Sequence, residues 1–189
     1  CSSDLQSDAS PREFNRNFKR LLADDWSDLE MEWRAFIHAL DYGYNVERMT
    51  VEHHQTSEPP SEEPVDISAA RGWQSTGWRL RARRRYEVTA EGRYQIANDG
   101  EPWPCEPQGV TIEYHQGQPL GKLLGILRPV GSRDAVDFDS VLHLGSRATV
   151  EPAQDSILYV RVNESAASLS DNQGQLRVAI SESAAGDGN

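Results

Sequence analysis

From Gly72 onward the chain is a succession of short runs of alternating apolar and polar residues, each broken by Gly, Pro, Asn or Asp. A side chain in a strand repeats every second residue, so such runs bury one face each and cannot sit still as helices. The pattern predicts strands near 73–82, 84–96, 109–115, 121–128, 136–143, 147–152, 156–163 and 174–182. Eight short strands at regular spacing predict a mostly β chain, an antiparallel jelly-roll-like β-sandwich. The clearest pair lies between Ser156 and Glu182. Ile157, Tyr159 and Arg161 face one way; Leu158, Val160 and Val162 face the other. Leu176, Val178 and Ile180 alternate on the return. The spacing predicts a β-hairpin, with a polar loop at its end.

That loop concentrates Asn163, Glu164, Ser168, Ser170, Asp171 and Asn172. Carboxylates, amides and free carbonyls on one short loop suit a hard cation such as calcium, which takes six to eight oxygen ligands. The net charge of −11 agrees with this and disfavours nucleic acid, whose phosphates call for a basic surplus. With 37% hydrophobic residues and a mean hydropathy of −0.68, 189 residues supply one compact core and not two. No apolar run of eighteen residues exists, so no transmembrane segment is expected.

The N-terminal part reads differently. Residues 1–9 are expected to be a disordered tether. Cys1, followed by Ser2-Ser3-Asp4, is what a mature bacterial lipoprotein begins with, so export with a possible lipid anchor is expected; a boundary that happens to start at Cys is the alternative. Ser10, Pro11 and Glu13 form a helix start. Apolar residues at Leu22, Trp26, Leu29, Trp33, Phe36, Ile37 and Leu40 follow at helical spacing, predicting one long helix that ends near Gly43. The stripe is expected to pack on its own domain, or else on a partner protein or further domain, since so aromatic a face cannot stay in water. Residues 10–55 are thus helix plus a short extension, with a strand at 46–52. Residues 56–71 read as an acidic, proline-rich linker, 72–183 as the sandwich and 184–189 as a disordered tail.

Four motifs between Trp73 and Glu182 resemble the small calcium-dependent galactophilic bacterial lectins of the LecA type. They are Trp73-Gln-Ser-Thr-Gly77, Val88-Thr-Ala-Glu-Gly-Arg-Tyr94, Pro107-Gln-Gly109, and Asn163-Glu164 with Asp171-Asn172 and Gly174. The resemblance implies a jelly-roll fold and a calcium ion held by Glu164, Asp171 and Asn172 with carbonyls near Ile96 and Ser168. Sugar hydroxyls would complete the shell. It also implies Gln108 as a sugar contact and puts Cys105 where a sugar-binding histidine is expected. A thiol is a poor hydrogen-bond partner, so galactose specificity does not carry over. Asn163, at the loop's entry, and Trp103, between two prolines, join the expected ligand-binding set. Trp103 could equally lid the sandwich edge.

Other clusters favour plain readings. Arg79, Arg81, Arg83, Arg84 and Arg85 read as a solvated strand face rather than an anion site. His53 and His54, adjacent on a strand, would point apart and hold no zinc. Asp134, Asp137 and Asp139 lack the glycine and terminal Glu of an EF-hand. Cys105 reads as a free thiol. No GxSxG, P-loop or GxGxxG occurs, so no enzyme is expected. The leading expectation is a calcium-dependent glycan-binding module; a structural or protein-interaction sandwich is the second.

Overall fold

The computed structural model describes residues 11–21, 26–56, 63–98, 101–131 and 136–183. The N-terminal tether, the tail and Asp134 lie outside them, as do residues 57–62 of the proline-rich stretch. Two helices, α1 (Pro11–Leu21) and α2 (Trp26–Ala39), take the place of the one long helix expected. A single turn, α3 (Val46–Met49), replaces the strand expected at 46–52; the Asn45 side chain caps it by accepting from Arg48 N at 3.1 Å.

Twelve strands follow among the described residues, all pairing antiparallel. β1 (Val65–Ser68), β3 (Tyr86–Glu91), β10 (Arg147–Val150) and β12 (Gln175–Glu182) form one four-stranded sheet in the order β1-β12-β3-β10. β2 (Gln74–Leu80), β8 (Leu123–Pro129), β9 (Leu142–His143) and β11 (Ser156–Val162) form the other, in the order β2-β11-β8-β9. Two small ribbons flank them: β4 (Tyr94–Asn98) with β5 (Pro102–Cys105), and β6 (Val110–His115) with β7 (Gln118–Leu120). β1 lies within the segment read as linker; Val65, Ile67 and Ala69 alternate there but the surrounding Pro and Glu mask the pattern. The strand expected at 136–143 shrinks to its last two residues.

The two sheets pack face to face. Ile67, Tyr86, Val88, Val150, Leu176 and Val178 of one meet Trp78, Leu80, Leu123, Leu158, Val160 and Val162 of the other in one apolar core. Each fully buried aliphatic side chain here contributes about 1.5–3 kcal/mol relative to exposure. Gly121 is fixed by this packing: its φ is +78°, and a Cβ there would collide with the Cys105 sulfur and the Ile96 methyls.

β11 and β12 are not a hairpin. β11 pairs with β2 and β8, whereas β12 pairs with β1 and β3. The polar loop after Val162 therefore crosses from one sheet to the other at the rim of the sandwich. Strand alternation predicts two facing strands equally well for one sheet or two, so the pairing was not legible.

The outer face of β11 is covered too. Tyr159 and Ile157 pack with Trp73, Ile126 and Phe138 under Met31 and Ala35 of α2. The buried face of α2 is thus Met31 and Ala35, not the aromatic stripe. Trp33 is 63% exposed, and Trp26, Leu29, Ile37 and Leu40 are exposed as well. Asp28 and Ser27 anchor the helix start to Arg128, which also donates to Tyr159 Oη at 3.0 Å. No helix among the described residues is long and apolar enough to cross a membrane.

Candidate functional site

The crossing loop, 163–174, carries Glu164, Ser168, Asp171 and Asn172 of the expected cation set. Glu164 is 4% exposed. Its Oε1 accepts from Ser165 N at 3.1 Å, while Oε2 is buried with no hydrogen-bond partner. Asn172 is also buried; its Nδ2 donates to Ala69 O at 2.9 Å, which leaves Oδ1 buried and unpartnered. Orphaned buried oxygens are rare in folded proteins, and a bound water or ion is one way to satisfy them. Burial pushes the Glu164 carboxyl up to about 7, and the nearby charges of Asp171 and Glu113 add to the rise against the Ser165 N–H and Arg161.

Ile96 reaches the loop through its neighbour. Gln95 pairs with Gln173 by two backbone hydrogen bonds of 2.9 and 3.0 Å, and Gln95 Nε2 donates to Asp171 O at 2.9 Å. β4 thus runs beside residues 171–173, with the Ile96 side chain in the core. Ser168 sits exposed in a turn closed by its N–H to Ser165 O at 3.0 Å. Among the described residues no three His, Cys, Asp or Glu side chains gather into a metal cluster. A cation here would depend on amide and carbonyl oxygens as much as on carboxylates, which is the donor set calcium accepts.

The expected sugar contacts are more dispersed. Gln108 is exposed, but its Nε2 donates to Ser146 Oγ and its side chain lies against Gly145. Trp103 is half-buried and packs on the sandwich core. Cys105 is buried; its thiol donates to Glu106 O at 3.2 Å and is pushed up by burial, so it behaves as a core thiol. Asn163 is buried as well. Its Nδ2 lies 3.0, 3.1 and 3.0 Å from the carbonyls of His115, Gln118 and Pro119, and ties the β6–β7 ribbon to the loop.

Arg161 was legible only as a strand residue. It is 8% exposed, with Nε on Val162 O at 3.1 Å, Nη2 on Glu164 O, and its guanidinium 5.6 Å from the Trp73 ring. Burial pulls it down to about 10. Arg161 and Glu164 are thus both shifted toward their neutral forms, so their mutual attraction does not offset their burial. A charged residue on the covered face of a strand was the available signal.

Elsewhere the arginines and His53 have ordinary partners, but of the arginines only Arg79 lies on a strand. Arg81, Arg83, Arg84 and Arg85 sit in the turn between β2 and β3, and His53 and His54 lie outside any strand. Arg79 and Arg81 reach Asp155 at 3.1 and 2.7 Å, Arg84 reaches Glu182 at 2.9 Å and Arg85 reaches Glu151 at 3.4 Å. His53 Nδ1 lies 2.8 Å from Tyr159 Oη. Asp137 accepts from Asp139 N and Ser140 Oγ, as a turn residue does.

No family model matches the chain, and no curated protein matches it. Among solved structures it is similar to the N-terminal domain of EclA, described as a PllA-like lectin. That similarity covers 64% of this chain and 96% of that domain, at 15% identity and a TM-score of 0.48.

Proposed function

We propose that this chain is a calcium-dependent carbohydrate-binding module. The observation that carries the reading is the pair of buried, unpartnered oxygens, Glu164 Oε2 and Asn172 Oδ1, on one crossing loop beside Asp171. Glu164, Asp171 and Asn172 would hold the ion, with carbonyls from the Ile96 and Ser168 segments. Bound calcium supplies charge to the loop and open coordination positions for sugar hydroxyls. Gln108, and Trp103 in part, remain as the side chains for a saccharide; buried Cys105 and Asn163 serve the scaffold. Screening an array of glycans with calcium, and again with a chelator, tests it. Calcium-dependent retention of any saccharide is the expected result.

A second reading, a protein-interaction domain, has its own observation: Trp33, Ile37 and Leu40 of the N-terminal segment stay exposed. A blank array, with a melting temperature that still rises with calcium, would favour it.

A further inference from the structure

A cleft of about 150 Å³ opens on the far side of the crossing loop, between the end of α2, the tip of the β6–β7 ribbon and Ser165. A cavity of that size accommodates a molecule as large as benzene. Arg161 lines it, with Trp73, His38, His115, Leu124 and Val141. The guanidinium has five donors. Nε and Nη2 are taken by the Val162 and Glu164 carbonyls, while Nη1 has no partner among the described residues. No carboxylate among them lies within ion-pair distance of it. Glu164 attracts the guanidinium without forming an ion pair with it, and a cation nine-tenths buried with so weak a counter-charge is costly unless something completes it.

We propose that this cleft binds a small monocarboxylate, free or as the acid group of a sugar acid, through Arg161 Nη1 and the His115 ring. Burial and the field of Arg161 keep His115 below its ordinary value, so the neutral ring has one N–H to donate and brings no second positive charge. Trp73, Leu124 and Val141 give an apolar wall for the rest of the molecule. Asp41 and Glu164 also line the cleft. Their carboxylates oppose a dianion, so a single negative charge fits and phosphate does not. The inference goes beyond the calcium reading and does not rest on it.

The test follows the Arg161 Nε–H and His115 ring signals by NMR in the full chain, with a chelator present throughout. Acetate, glucuronate, glucose and inorganic phosphate are titrated separately. Saturable shifts with acetate and glucuronate alike assign the cleft to a carboxylate as such; shifts with glucuronate far stronger than with acetate assign it to a sugar acid. Both uphold the proposal. Arg161→Met, checked for folding by circular dichroism, should bind at least about tenfold more weakly, the loss expected for a charge-assisted hydrogen bond. Leu40→Trp blocks the exposed rim, leaves Arg161 in place and should also weaken binding. Absence of shifts with either acid overturns the proposal. So does equal response to glucose, tighter binding of phosphate, or unchanged binding in Leu40→Trp.

Discussion

Asn163 shows how a single side chain can set the shape of the site. Its amide meets three carbonyls of the β6–β7 ribbon, and its own backbone exchanges hydrogen bonds with Gly121 N and Lys122 O, both at 2.8 Å. Asn163→Ala removes the buried amide that these three part-buried carbonyls share and should cost about 1–3 kcal/mol in urea unfolding; a change under about 0.5 kcal/mol would contradict the clamp. Glu164 makes a prediction of the opposite kind. Its carboxyl is raised in the fold from 4.5 to about 7, so the folded chain holds that proton more tightly than the unfolded one. Without calcium, this residue's contribution is full below about pH 4.5, falls as pH rises to about 7, and is flat above. Glu164→Gln should flatten that slope in pH-dependent melting; an identical slope would remove Glu164 as its cause. At this scale the oxygen donors were legible, because residue chemistry is printed in the sequence. The spent amide of Asn163 was not, because it depends on which carbonyls distant strands bring near.

Among the elements, α2 departs most from expectation. Periodicity located a helix but not the face it buries, since two stripes share its surface. The narrower one, Met31 and Ala35, fits against Trp73, Phe138 and Tyr159, and leaves the aromatic stripe outside. Met31→Ala should therefore cost about 2–5 kcal/mol in chemical unfolding, while Trp33→Ala costs little; the reverse order would mean that the helix packs by its other face. The strands β2, β6, β8, β11 and β12 lie within a residue or two of their sequence limits because period-two alternation marks them directly. β1 and β5 were hidden by proline and charge, and the pairing of β11 with β12 was misread because sheet membership is a non-local property.

For the whole molecule, the two sheets do one thing the hairpin picture did not allow. They stretch the segment 163–174 across the rim, where β4 borders it through Gln95 and the end of β1 through Ala69. These two remote segments thereby fix the loop that carries Glu164, Asp171 and Asn172, with Glu164 and Asn172 buried. The most direct measurement is calorimetric titration of the metal-free protein with calcium, beside Asp171→Ala. The account predicts saturable binding near one ion per chain in the natural protein, lost or weakened at least tenfold in the variant. Identical heats in both, or none in either, would contradict it.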